Sequence, residues 1–567
     1  MVNLTINGES YSFNEGTSIL EAARSVGIYI PTLCFLKDIN KNASCRVCLV
    51  ENKGRLIPAC DTIISEGMDI LTNSSKVRNT RKTILELIAA EHNFDCGHCI
   101  RNGNCELKKL CELYNIRENT FESKVNYKEK DKSSIAIIRD ESKCIKCGRC
   151  IAVCRNKQGI DVLCYANRAE DYKITTVFDK DLNDISCISC GQCSRVCPVG
   201  AIYERESLNE FYNAIDSKES HVVVQIAPAV RVSIASELGV NDIDLSGKIV
   251  TLLKLIGVDK VFDTNFAADL TIMEETQELI NRINNNGVLP LMTSCSPGWI
   301  NYVERYKPEL IPNLSSCKSP QQMFGAVLKS YYSRKADIEP KSIVSVSIMP
   351  CTAKKYEAYR DEFSKDGIRD VDIVLTTREL LRLIKESGIN FENIPSSNFD
   401  DLLGISSGAA AIFGASGGVM EAALRTAYEK VTGNKLEVLE FSEVRGIDGF
   451  KEVEIDFNGV NMKVAVVNGI KNIDILLKKI DDGEKYCFIE VMCCPGGCIG
   501  GGGQPYNSTI NELINKMKKI YSIDKNKVIR KSHENPNIIK IYNEYLEKPG
   551  SHKSEELLHT KYFSRKN

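Results

Sequence analysis

The sequence predicts a multidomain protein in which small α+β modules precede one large α/β domain. Three observations predict it. Of 24 cysteines in 567 residues, seventeen fall before residue 200, mostly in tight C-x2-C groups. From about residue 209, apolar runs alternate with amphipathic helical stretches. The runs "HVVVQIAP", "SIVSVSIMPC", "VDIVLTT", "KVAVVNG" and "YCFIEVMCC" read as buried strands of an α/β domain. A chain this long, 43% hydrophobic and 26% charged, can also build several separate cores. The segments divide as 1–78, 79–125, 126–208 and 209–567.

Composition narrows the function. A net charge of −2 argues against nucleic acid, whose phosphates need a clustered excess of Lys and Arg. The N-terminus "MVNLTINGES" is polar, with no basic n-region or apolar h-region, so no signal peptide is expected. No run of about 18 apolar residues suggests a membrane span. C-x2-C spacing in a chain without a leader points to metal binding rather than disulfides. Six histidines leave most hydrolase schemes without a base.

Segment 1–78 opens with two short alternating stretches around a turn in "LTINGESYSF", and "SILEAARSVG" reads as a helix. Cys34, Cys45, Cys48 and Cys60 follow as C-x10-C-x2-C-x11-C. Four loop thiolates suit a 2Fe–2S cluster, with structural zinc as the alternative. The segment resembles plant-type ferredoxins, which implies a β-grasp fold. Its spacing fits better the related module of respiratory NADH dehydrogenases.

In 79–125, "TRKTILELIAAEH" is a helix ending at His92, followed by Cys96, Cys99 and Cys105. H-x3-C-x2-C-x5-C reads as a 4Fe–4S site in which imidazole replaces one thiolate. His98 and Cys111 fit no ligand slot. Segment 126–208 holds an internal repeat. "CIKCGRCIAVC" gives Cys144, Cys147, Cys150 and Cys154, and "CISCGQCSRVCP" gives Cys187, Cys190, Cys193 and Cys197. In two-cluster bacterial ferredoxins the fourth cysteine of each run ligates the other cluster. Cys197 is thus expected with Cys144, Cys147 and Cys150, and Cys154 with Cys187, Cys190 and Cys193. Cys164 reads as an ordinary thiol.

In 209–567, Cys351 in "IMPCTAKK" and Cys494 in "EVMCCPGGCIGGGGQP" end apolar runs, where open α/β folds place ligands. The glycines after Cys498 allow close backbone approach to a bound group. "FGASGGVMEAALR" reads as a glycine turn opening a helix, with amides free to meet an anion. Neither GxGxxG after a strand nor GxxxxGK[ST] is present, so nucleotide readings start weak.

The ferredoxin modules in this order, with "TSCSPGW", "MPCTAKKYE" and "EVMCCPGGCIGGGGQP", resemble the monomeric clostridial-type FeFe-hydrogenases over essentially the whole chain. The resemblance implies reversible interconversion of dihydrogen with protons and electrons at an H-cluster. That cofactor is a 4Fe–4S cube joined through one cysteine sulfur to a diiron unit carrying CO, cyanide and azadithiolate. One 2Fe–2S and three 4Fe–4S clusters accompany it. By position, Cys351, Cys494 and Cys498 hold the cube, and Cys498 is the shared sulfur. Lys354 faces a cyanide, Met349 and Met492 pack beside the diiron unit, and Pro228, Gln321 and Phe413 line its pocket. The resemblance also implies a ferredoxin or flavodoxin partner, maturation proteins, a monomer and a reducing cytoplasmic compartment.

Glu275, Glu278 and Arg282 share one face of a helix over "TIMEETQELINRINNNG", a pattern that in isolation reads as a solvated stripe. The family places a proton route at these positions and Ser315, ending at Cys295. A thiol with an unperturbed pKa near 8.5 suits reversible transfer near neutral pH.

One departure stands out. The family has a second cysteine, the cube's fourth ligand, where this chain has Ser296. Cys493 is extra. Ser296, Cys295 or Cys493 could complete the cube. An oxygen ligand is a harder donor that lowers the cube's potential, tuning bias or oxygen response. The alternatives are a hydrogen sensor, which usually carries an added signalling domain that the end "LLHTKYFSRKN" does not suggest, and an iron–sulfur electron-transfer protein without a working diiron site.

Overall fold

A computed structural model describes every residue except 119, 126, 241–243, 458, 460, 507–508 and 567. The chain forms two compact units. The first is 1–185 with 196–203, and the second is 186–195 with 204–567. The division falls inside the 126–208 segment and splits the second cysteine run, with Cys187, Cys190 and Cys193 in the larger unit and Cys197 in the first.

In the first unit, strands Val2–Ile6 and Glu9–Phe13 pair antiparallel across Asn7–Gly8. Both turn residues have positive φ, 53° and 88°, as the Asn-Gly hairpin signal requires. Val2–Ile6 also pairs parallel with Asp69–Leu71, and Leu49–Asn52 and Arg55–Pro58 complete a five-stranded sheet. Helix Ile19–Ser25 starts at Ser18, whose hydroxyl accepts from the Glu21 N–H at 3.2 Å, and buries Ile19, Leu20, Ala22 and Ala23. This is the β-grasp arrangement. Helix Ser75–Ala90 follows and stops two residues before His92.

The second unit is built on two four-stranded sheets. The first is all parallel, in the order Lys260–Asp263, His221–Ile226, Ile343–Met349, Ile373–Thr376. The second runs Leu291–Met292, Phe488–Met492, Asn461–Asn468, Phe450–Asp456, with only the last pair antiparallel. The apolar runs are buried on both faces, as parallel strands covered by helices must be.

Helix Thr264–Asn284 explains why the acidic stripe is not a solvated one. Ala268, Ile272 and Leu279 pack into one core beside Phe413 and Met492, whereas Phe266, Leu270 and Met273 pack into another beside Phe324. With apolar cores on two sides, the helix carries Glu274 and Glu275 into the interior at 1% exposure each. Among the described residues, no helix is long and apolar enough to cross a membrane.

Candidate active site

Four loops leave the carboxyl ends of strands in both sheets and meet at one cavity. Ile226 leads to Pro228, Met292 to Cys295 and Ser296, Met349 to Cys351 and Lys354, and Met492 to Cys493, Cys494 and Cys498. Gln321 and Phe413 complete the wall with Met349 and Met492, and Cys190 reaches it from the cysteine run in the same unit. The surface is apolar apart from the sulfurs, Gln321, Lys354 and a few hydroxyl and amide groups.

The donor set fits an iron–sulfur group. Cys351 feels Cys494 and Cys498 through charge, not through a thiol–thiol hydrogen bond, as corners held apart by a cube require. Burial pushes Cys498 up to about 12 and Cys351 higher, so these sulfurs are costly as bare thiolates and suit capture by a cation. Cys494 goes the other way, down to about 7, because the Cys493 thiol and then the Gln192 side chain donate to it and Arg195 lies near.

The glycines also serve the protein's own packing. A Cβ on Gly502 would lie 2.1 Å from the Cys190 carbonyl oxygen, and one on Gly501 would lie 2.1 Å from that of Pro350. The run lets the loop press against protein backbone, while Gly497 and Gly501 also line the cavity. The turn opening helix Gly418–Thr432 differs from the sequence expectation. The Gly417 and Met420 N–H groups donate to the Glu490 carboxylate at 2.7 and 2.8 Å. The anion at that helix N-terminus is an internal side chain, and the amides are not free.

Lys354 is fixed by Glu357, the last residue of the "MPCTAKKYE" motif, to which the sequence assigned no role. Its Nζ lies 2.9 Å from Glu357 Oε2 and donates to the Cys295 carbonyl at 3.2 Å. Glu357 also accepts from Ser319 Oγ at 2.9 Å and Gln321 Nε2 at 3.0 Å. The i, i+3 spacing in "AKKYEA" was the available signal.

Ser296 lines the cavity, and its Oγ accepts from the Cys493 N–H at 3.1 Å. The Cys493 thiol hydrogen-bonds with Cys190 and Cys494 instead. Cys295 faces the same cavity beside Glu275. Burial first, then the charges of Glu275 and Cys498, push its thiol well above the usual cysteine range. The shift favours the protonated thiol over the thiolate at this wall of the cavity.

Behind Cys295, Glu275 is buried, and neither carboxyl oxygen has a hydrogen-bond partner at ordinary length. Burial and the Glu278 charge push it up to about 8, against smaller pulls from the Ser315 hydroxyl and the Ser294 N–H. Glu278 Oε2 accepts from Ser315 Oγ at 3.1 Å, and its Oε1 lies 2.6 Å from Arg282 Nη2. The four residues and Cys295 thus form one inward series. Ser316 and His559, also against Glu278, went unread in the sequence because they lie 38 and 281 residues from it.

In the ferredoxin-like unit, Cys34 hydrogen-bonds with Cys45 and Cys60, and Cys48 with Cys60, the close spacing of a two-iron site. His92 is buried, and its Nδ1 lies 3.0 Å from the Lys143 carbonyl oxygen, which leaves Nε2 for a ligand as metal-binding histidines do. Burial pushes the ring down to about 4, so it stays neutral. Cys99 and Cys105 lie close enough to interact, and Cys111, buried on helix Glu106–Leu113, lies near Cys105 and Cys96. Cys144, Cys147, Cys150 and Cys197 line a single cavity.

A cysteine-walled cavity at paired strand ends, in a chain that also carries ferredoxin-like modules, defines an iron–sulfur oxidoreductase. Family comparisons carry the assignment further. Residues 220–502 match the C-terminal domain of the iron-only hydrogenase large subunit, and 511–565 match the iron hydrogenase small subunit. Residues 1–75 match a 2Fe-2S cluster binding domain, 81–120 the NADH-ubiquinone oxidoreductase-G iron–sulfur binding region, and 143–201 a 4Fe-4S dicluster domain. NADP-reducing hydrogenase subunit HndD of Solidesulfovibrio fructosivorans is 46% identical over 100% of this chain and 99% of its own. Iron hydrogenase 1 of Clostridium pasteurianum is 43% identical over 99% and 100%. Solved HydA1 from Chlamydomonas reinhardtii superposes with a TM-score of 0.58 at 42% identity, covering 64% of this chain and 100% of that one. The chain belongs to the FeFe-hydrogenase family, and it is a multidomain iron–sulfur hydrogenase.

Proposed function

We propose that the protein interconverts dihydrogen with protons and electrons at an H-cluster held by Cys351, Cys494 and Cys498, with Ser296 at the fourth cube corner. The observation that carries this is the meeting of those residues with Lys354, Pro228, Gln321, Met349, Phe413 and Met492 at one cavity. When bound, the group supplies the redox centre for hydrogen. The chain's residues do the rest. Lys354, steadied by Glu357, presents a fixed positive charge to an anionic ligand. Cys295 donates and retrieves the proton at the cavity wall, and Glu275, Ser315, Glu278 and Arg282 line its path. Cys34, Cys45, Cys48 and Cys60 hold a 2Fe–2S cluster. His92 with Cys96, Cys99 and Cys105 holds a 4Fe–4S cluster, and the two ferredoxin runs hold two more.

Two readings of the electron partner remain in play. A soluble ferredoxin or flavodoxin suits a monomer in a reducing cytoplasm. The whole-length likeness to a subunit of an NADP-reducing hydrogenase favours exchange within a larger nicotinamide-linked assembly. No nucleotide-binding motif stands in this sequence, so that assembly would bring its own. The test is hydrogen evolution by anaerobically matured protein supplied with reduced ferredoxin, or with NADPH. Turnover with ferredoxin alone supports the first reading. Turnover with neither, but with an artificial one-electron donor, supports the second. No turnover with any donor overturns the hydrogenase reading.

A further inference from the structure

We propose that Arg195 is the charge partner of the iron–sulfur cube, a buried cation that holds the cube's potential up against the Ser296 oxygen. The inference rests on the cube assignment in the reading above. It starts from a guanidinium that lacks an anion. Arg195 stands in the second cysteine run, "CISCGQCSRVCP", two residues after Cys193. It is only 7% exposed. Its Nη1 donates to the Gly500 carbonyl at 3.1 Å, while Nε and Nη2 are buried with no hydrogen-bond partner. The charges acting on it are Cys494, which favours the cation, Arg378, which opposes it, and Glu512, weaker than either.

No protein carboxylate answers that charge. Arg378 has its own partner in Glu204 at 2.7 Å. Glu512 accepts from the Thr509 N–H at 2.6 Å and caps its own helix, Ile510–Asn526. Lys516 on the same helix is a second buried cation. Burial first, then Arg195, push its amine down to about 8. Buried cations of this kind are costly unless an anion meets them. A thiolate-ligated iron–sulfur cube is such an anion. The two meet at Cys494, whose sulfur also accepts from the Cys493 thiol, the Gln192 side chain and the Gly502 N–H.

A clamp on the loop would not need a charge. Gln192 Nε2 already holds the Gly500 oxygen at 2.8 Å, and that residue lies two positions after Cys498. What Arg195 adds is fixed positive charge. An oxygen ligand at 296 lowers the cube's potential, and a nearby cation stabilises the added electron and raises it. Arg195 touches no reacting atom. It acts on the potential that electrons meet as they leave the cluster of Cys187, Cys190 and Cys193 for the cube.

Electrochemical titration of the matured holoenzyme tests this, with each cluster followed by its EPR signal and the cube also by the infrared bands. Arg195→Gln keeps an amide donor and drops the charge. It should shift the cube's reduction equilibrium at least about tenfold toward the oxidised form, or about 59 mV for one electron. Arg195→Lys keeps the charge and should stay near wild type. The cluster of Cys187, Cys190 and Cys193 should move less than the cube in both. Equal shifts in the two variants would mark a geometric clamp and overturn the proposal. An unmoved cube, or a larger shift at the ferredoxin cluster, overturns it too. If Arg195→Gln loses iron, Lys516→Gln decides in its place at about pH 6, where Lys516 is charged. A smaller shift in the same direction supports the proposal, and none overturns it. Wild-type protein without CO or cyanide bands sinks the hydrogenase reading alone, because the EPR titration of the cube still decides this one.

Discussion

The N–H of Cys493 donates to the Ser296 hydroxyl oxygen at 3.1 Å. The two positions where this chain departs from the family pattern are therefore in direct contact. The Cys493 sulfur does not share the partner of its own N–H. It turns toward Cys190 and Cys494, into the space that Gly298 leaves open, where a Cβ would lie 2.6 Å from that sulfur. In the proposed arrangement, oxygen would stand at the fourth corner and an added S–H donor beside the neighbouring Cys494.

The two changes should pull the cube's potential in opposite directions. Ser296→Cys replaces a hard donor by a soft one and should raise it. Cys493→Ala removes a hydrogen bond to a ligand sulfur and should lower it. Spectroelectrochemical titration of the matured protein reads both. Movement in the same direction would contradict this division of labour.

Glu275→Gln should leave the cofactor in place yet cut turnover by about 100-fold or more, because the amide can neither take nor give the proton. The same substitution should change the pH dependence of stability. Glu275 titrates near 8 when folded and near the ordinary carboxyl value when unfolded. The folded chain therefore binds more protons across that window, and stability falls as pH rises from about 4.5 to 8, at up to about 1.4 kcal/mol per pH unit. Denaturant melts at pH 5 and pH 8 should show this loss in wild type and a smaller one in Glu275→Gln.

Glu357→Gln leaves the Lys354 ammonium buried without its carboxylate. Breaking a buried pair this way costs about 3–5 kcal/mol. The melting temperature should drop, and the shift should be much smaller for an exposed pair such as Lys365–Glu556.

Gly502→Ala should destabilise by about 1–3 kcal/mol, because the new methyl meets the Cys190 carbonyl. Iron content per chain should fall as the Cys498 loop shifts. Full iron loading at wild-type stability would contradict the tight-loop account.

Much of this was legible in the sequence because metal sites write themselves locally. The cysteine spacings needed no tertiary information, and Asn7–Gly8 announced its own turn. The strand ends at Cys351 and Cys494 followed from apolar runs of fixed length. What stayed hidden depends on contacts distant in sequence. Glu275 looked like a surface residue because helical spacing shows one face and cannot show that Phe266 and Ile272 both find cores. Glu490 sits in an apolar run and gave no sign that it caps a helix some 70 residues earlier. The upward push on the Cys295 thiol comes from burial and a neighbouring carboxylate, tertiary facts that local sequence does not carry. His559 meets Glu278 only once the chain's end folds back.

The central claim is that the Ser296-bearing cavity holds a working H-cluster. The most direct measurement is an infrared spectrum of anaerobically matured protein, under hydrogen and then under argon. The account predicts CO and cyanide bands that shift between the two gases. Matured, fully iron-loaded protein with no such bands, or with bands indifferent to hydrogen, would contradict it and leave an iron–sulfur electron carrier on a hydrogenase fold.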